Sequence, residues 1–196
     1  MVTTLGYDVT MKKILIGVAG MPGAGKATVE EIVRNMGYSV VVMGDEIRDE
    51  AKRRGLEPTP ENLGMVMLKL REEEGPDVVA ERCIPKIEES KGEIVFVDGI
   101  RSSHEVEEFK RHFPSFTLIA IHASPETRFQ RLFKRRRSDD PDGWDTFVDR
   151  DLRELSVGLG DVIAMADYMI VNEETKNQLK RQIRKVLEVA IGKWIR

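Results

Sequence analysis

The chain has 196 residues, 41% hydrophobic and 33% charged, which suits one compact domain with a buried core of ordinary size. Its 34 acidic and 31 basic residues leave a net charge of −3, so bulk charge gives no sign of a nucleic-acid partner. A single cysteine, Cys83, excludes an intrachain disulfide and points to a reducing cytoplasm.

Residues 1–10 lack the basic and apolar regions of a signal peptide and read as a flexible arm. No stretch reaches the roughly 18 apolar residues of a membrane helix, so no membrane partner is expected. From there the chain alternates. Short β-branched apolar runs at residues 13–18, 39–43, 93–97, 116–121 and 168–171 read as buried strands. Helical periodicity covers residues 26–35, 46–53, 60–74, 76–88, 103–112, 125–134, 144–159 and 175–195. The last helix carries Leu179, Ile183, Leu187 and Ala190 on one face, a stripe that calls for a core. Strands alternating with helices mean right-handed βαβ units and a parallel sheet, hence an α/β fold. Two segments break the alternation: the all-helical stretch 45–92, and the basic segment 135–143. Such excursions from an α/β core are where substrate arms and lids sit. The expected organisation is one domain over 11–196, with core segments 11–44, 93–134 and 144–196.

After the first strand comes Gly20-Met21-Pro22-Gly23-Ala24-Gly25-Lys26, opening a helix. Glycines at that spacing let backbone N–H groups converge on phosphate oxygens at the positive end of the helix, and Lys26 can reach the terminal phosphates. Where a Ser or Thr hydroxyl usually follows the lysine to bind Mg²⁺, this chain has Ala27, with Thr28 one place later. The bland alternative is a glycine turn with a solvated lysine.

The loop Gly-Met-Pro-Gly-Ala-Gly-Lys-Ala-Thr resembles that of adenylate kinases, which also lacks a hydroxyl directly after the lysine. Gly44-Asp45-Glu46-Ile47-Arg48 resembles the Gly-Asp-x-Leu-Arg segment of that family, whose arginine holds the acceptor's phosphate. Asp98-Gly99-Ile100-Arg101 resembles Asp-Gly-Phe-Pro-Arg, one residue shorter. Arg131 through Arg135, then Arg137-Ser138-Asp139-Asp140 and Arg150, resemble the lid arginines and the Arg-x-Asp-Asp segment of nucleoside monophosphate kinases. Residues 166–172 are similar to the last strand of dephospho-coenzyme A kinase. The set also fits an archaeal family of nucleotide-kinase-like proteins.

This resemblance implies a P-loop NTPase fold: a five-stranded parallel sheet in order 2-3-1-4-5, helices on both faces, a helical acceptor-binding insert over 45–92 and a short lid over 135–143. It implies ATP and Mg²⁺ as cofactors, with the loop residues Gly20 to Thr28 holding the phosphates and Arg131 stacked on the donor base. Asp45, Arg48 and Arg101 would hold the acceptor. Lys26, Arg101, Arg135, Arg137 and Arg150 would surround the transferring group, and Asp98 would orient magnesium through water, with Thr28 a further candidate ligand. Phosphoryl transfer needs this excess of arginine because its work is positioning and charge stabilisation.

Each assignment has a rival. Arg135 to Arg137 can form a solvated basic patch or a nucleic-acid contact, Asp45 a helix cap, Asp98 a strand terminator, and Arg48 and Arg101 surface partners of glutamates. His104, His112 and His122 have no metal spacing. Cys83 reads as an inert helix residue. Met65 and Met67 read as helix packing, with a pocket wall as the alternative. Three functions follow: a nucleoside monophosphate kinase, a kinase of a hydroxyl acceptor such as dephospho-coenzyme A, or a nucleotide switch or RNA-associated factor with no small acceptor. The protein is expected to be a cytoplasmic monomer or homodimer.

Overall fold

The computed structural model describes residues 13–137 and 140–195. The expected arm at 1–10 and Asp139 of the Arg-x-Asp-Asp segment lie outside the described residues. Five strands form one parallel sheet: β1 (Ile14–Ala19), β2 (Ser39–Val42), β3 (Ile94–Asp98), β4 (Ser115–His122) and β5 (Tyr168–Val171). Their order is β2-β3-β1-β4-β5, the order implied by the resemblance. Around them lie α1 (Lys26–Asn35), α2 (Met43–Arg53), α3 (Pro60–Glu74), α4 (Val78–Glu89), α5 (Ser103–His112), α6 (Pro125–Arg135), α7 (Trp144–Val157), α8 (Leu159–Ala164) and α9 (Lys176–Gly192).

The two-residue period of the strands divides the core. One face buries Leu15, Val95, Val97 and Leu118 beneath α2, α4, α5 and α8, through Ile47, Cys83, Phe109 and Leu159. The other buries Ile16, Val18, Phe96 and Ile121 beneath α1 and α9, where the predicted stripe of Leu179, Ile183, Leu187 and Ala190 packs. β1 is buried along its whole length because it is the middle strand of a sheet covered on both faces. Register sets the site: Val18 lies beside Asp98, and the N–H of Gly99 donates to the Val18 carbonyl at 3.1 Å. The end of β3 therefore meets the loop that follows β1.

Three expectations change. The helix expected from 46 begins at Met43, so Gly44 and Asp45 belong to its first turn, and Asp45 caps nothing. The helix expected over 144–159 is two helices, because Gly158 adopts φ 108° and its N–H closes α7 on the Leu155 carbonyl at 3.0 Å. The terminal helix ends at Gly192 rather than 195. Cys83 is buried, and that burial pushes its thiol up to about 12, which leaves no thiolate for chemistry.

The mixed charges form a network. Glu50 of α2 accepts from Arg54 at 2.7 Å and from Arg82 of α4 at 2.8 Å, and pairs with Arg53. Arg54 continues to Glu73 of α3 and Arg82 to Glu74. The bonds from Arg82 and Arg54 hold the Glu50 carboxyl at about 2, below its ordinary 4.5. A depressed carboxyl contributes stability that is complete above the ordinary value and is lost as pH falls through the folded value. Thermal melts should therefore fall between pH 4.5 and about 2, and Glu50→Gln should show a shallower fall over the same window.

Candidate functional site

Three glycines shape the loop between β1 and α1. Gly20, Gly23 and Gly25 have φ of 154°, 82° and 112°, and a Cβ would lie 2.4 Å from the Ile121 carbonyl at Gly20, 2.8 Å from that of Arg128 at Gly23, and 2.4 Å from Asn172 Nδ2 at Gly25. Only glycine fits those places without displacement. Gly25 is also the N-cap of α1, so no side chain caps the helix, and its first turn holds no acidic residue. The positive end of that helix is thus left for an external anion.

Lys26 opens the helix and turns back, donating to the Gly20 carbonyl at 2.6 Å. Burial lowers its ammonium below the ordinary range, the Asp98 charge opposes that shift, and Arg101, Glu154 and Arg150 also act on it. At the end of β3, Asp98 Oδ1 is buried and accepts no hydrogen bond from the described residues. Burial raises this carboxyl above its ordinary value while Lys26 opposes the rise. Thr28 is partly buried and Ala27 exposed. An orphaned acceptor, a lysine spent on its own loop and an uncapped helix end all fit a phosphate chain with a hydrated magnesium ion.

The structure brings three of the six sequence-predicted arginines into one cleft, while Arg131, Arg135 and Arg137 do not line it. Arg48, Arg101 and Arg150 line a cleft of about 630 Å³ between α2, α3 and α7. Arg48 holds Asp45, three residues back on α2, and both are half exposed. Arg101 donates from Nη1 to the Met67 sulfur at 2.8 Å and pairs with Glu154 of α7 at 3.2 Å. Met67 thus both packs in the core and faces the cleft, whereas Met65 is exposed. Arg135 is paired with Asp140 through Nε and Nη2 at 2.9 and 2.5 Å, and the Arg137 N–H donates to the same carboxylate at 2.8 Å. Arg131 donates from Nη2 to the carbonyl and side chain of Asn172, at 3.0 and 3.3 Å, and its Nη1 is buried with no partner among the described residues.

Sequence reasoning missed four participants. Asn172, at the end of β5, donates to the Ala24 carbonyl at 2.7 Å and so ties Arg131 to the phosphate loop. Arg128, 3% exposed, donates to Ala123 O at 3.1 Å, to Pro22 O in the loop at 3.3 Å, and to both Asp151 oxygens at 2.8 and 2.5 Å. Glu154 meets Arg101, and Glu105 accepts from the Arg101 N–H at 2.7 Å. Of these, Glu105 carried a local signal, the Ser102-x-x-Glu105 capping pattern, and Asn172 closes the 166–172 segment that carries a resemblance but was given no role of its own.

Comparison with known proteins agrees with this geometry. A family model described as an AAA domain matches residues 19–147, which include the whole phosphate loop. A UPF0200 protein of Methanothermobacter thermautotrophicus is 50% identical over 177 residues, 90% of each chain. One from Methanocaldococcus jannaschii is also 50% identical, over 89% of each chain. Among solved structures, TT1252 from Thermus thermophilus superposes with a TM-score of 0.64 at 17% identity, covering 90% of this chain and 97% of its own. Shikimate kinase from Bacteroides thetaiotaomicron superposes at 0.61, with the same identity and coverage. The fold is that of the P-loop kinases, and with a matched AAA domain and relatives half identical over nine-tenths of their length, the chain belongs to the UPF0200 family.

Proposed function

We propose that this chain is an ATP-dependent phosphotransferase that moves the γ-phosphoryl group of Mg-ATP to a nucleoside monophosphate-type acceptor. One observation carries the reading: Lys26, whose ammonium donates to the Gly20 carbonyl of its own loop, feels the charges of Asp98, Arg101, Glu154 and Arg150, and of these Arg101, Glu154 and Arg150 line the cleft beside the acceptor arm. Donor phosphates would take over the Lys26 ammonium from the Gly20 carbonyl, and the α1 amides would complete their cradle. Arg48 and Arg101 would receive the acceptor phosphate, each exchanging its present carboxylate partner for it. Helices α2 to α4 serve as the acceptor arm and residues 135–143 as the lid. Bound magnesium neutralises charge on the transferring group. Asp98 would hold one of its waters through Oδ1, and Ala27 leaves the ion without a hydroxyl ligand at that place.

The raised carboxyl of Asp98 supports a second reading, a hydroxyl acceptor, because a carboxylate of higher pKa is the better base for an alcohol. Incubation with Mg-ATP and a panel of AMP, CMP, UMP, GMP, dTMP, dephospho-coenzyme A and shikimate separates the two. One acceptor should raise ADP release far above background, and its chemical type decides between phosphate and hydroxyl. Arg48→Ala should then cut the acceptor-dependent rate about 10- to 100-fold, as expected for lost charge-assisted bonds. A nucleotide switch with no small acceptor requires instead that Arg48→Ala leave turnover untouched.

A further inference from the structure

Glu105, fully buried at the third position of α5, makes more contacts than a helix cap needs. Its Oε2 accepts from the N–H groups of Arg101 and Ser102 at 2.7 and 3.2 Å, and the Ser102 hydroxyl accepts from the Glu105 N–H at 3.3 Å. Those bonds complete the capping box. The other oxygen, Oε1, accepts from Arg71 Nη2 of α3 at 2.5 Å, and Arg71 Nη1 donates to the Met67 carbonyl at 3.0 Å. The Met67 sulfur accepts in turn from the Arg101 guanidinium. Backbone and side chain of Arg101 are therefore both referenced to one turn of α3, the helix that walls the cleft.

Bringing a second charge into a solvent-free site costs desolvation that an apolar pair would avoid, so what the pair adds over a simple cap is orientation. We propose that Arg71 and Glu105 are positioning residues: they couple the placement of α3 to that of Arg101, so that the acceptor arm and the arginine at the phosphates move as one unit. The proposal rests on Arg101 acting at the acceptor, as described above. Arg71 does not line the cleft, and it reaches Arg101 through Glu105 and the Met67 turn.

Three variants test it: Arg71→Met, Arg101→Met and the two combined, with Arg71→Lys as the conservative control. In Arg71→Met, deuterium exchange at the Arg101 and Ser102 amides is expected to rise about tenfold or more while β1 stays protected. Unchanged exchange at those two amides overturns the proposal, and this arm requires no acceptor, so it is decided separately from the kinase reading. With the acceptor the panel identifies, Arg71→Met should lower kcat about tenfold with the KM for Mg-ATP within twofold, and Arg71→Lys should recover most of the loss. In the Arg101→Met background the same replacement should cost nothing more. A further tenfold loss there would mean that Arg71 serves stability alone, and the proposal fails. If Arg71→Met does not fold, Arg71→Lys carries both readings, with exchange and kcat expected between wild type and Arg101→Met.

Discussion

Replacing Lys26 with methionine is expected to lower nucleotide turnover by at least ~100-fold, the usual cost of removing one preorganised donor from developing phosphoryl charge. The fold should survive the change. Among the described residues the ammonium makes one hydrogen bond, to a carbonyl of its own loop, and its burial already works against its charge. Asp98 loses the charge that most opposes the rise of its carboxyl, so that carboxyl should rise further and its hold on a hydrated ion should weaken too. An ADP-release assay beside a thermal melt checks both halves: turnover collapses while the melting temperature stays within a few degrees. A loss of both together would mean that Lys26 serves the fold instead.

The second large effect is on stability. Arg128→Ala should destabilise the protein by about 3–5 kcal/mol, because it strands the Asp151 carboxylate in a partly buried site after both of its bonds are removed. The Pro22 and Ala123 carbonyls lose a donor at the same time, and Phe147 loses the guanidinium that lies 5.0 Å above its ring. Urea denaturation measures the loss. The paired change Arg128→Met with Asp151→Leu should recover much of it, since it leaves no unmatched charge. Through Pro22 the same clamp reaches the phosphate loop, and through Asp151 it fixes the helix turn that bears Arg150 and Glu154. Nucleotide affinity in the single variant should fall even where the fold persists.

What the sequence makes legible here is what neighbouring residues decide. The cradle is readable because a left-handed glycine is required at fixed steps from the lysine, and each of the three glycines proves to leave no room for a Cβ. The strands are readable because a sheet buried on both faces tolerates only apolar runs, so their bounds shift by at most about a residue. Asp98 is readable for the same reason: a carboxylate ending such a run must emerge beside the strand next to it, here Val18.

Charged side chains with distant partners were not legible. Arg128 stands three residues before the Arg131 to Arg135 segment that carries the resemblance, and nothing nearby in sequence announces Asp151, 23 residues on. Glu105 displays its capping box, but Arg71 lies 34 residues away and joins it only when the fold brings α3 within reach of the start of α5. The break at Gly158 was hidden because apolar periodicity resumes directly after it in α8, so the pattern alone reads as one helix. Asp45 was misplaced for a related reason: a carboxylate just before a helical stretch looks like a cap, yet β2 hands over to α2 at Met43, with Val42 as the N-cap.

Titration calorimetry with Mg-ATP, on wild type and on Lys26→Met side by side, tests most directly whether the loop after β1 holds a nucleotide's phosphates. Saturable one-to-one binding to the wild type is expected, weakened about tenfold or more in the variant, as loss of a charge-assisted contact requires. Absence of heat from either ATP or GTP with the wild type, or undiminished affinity in the variant, would contradict that expectation.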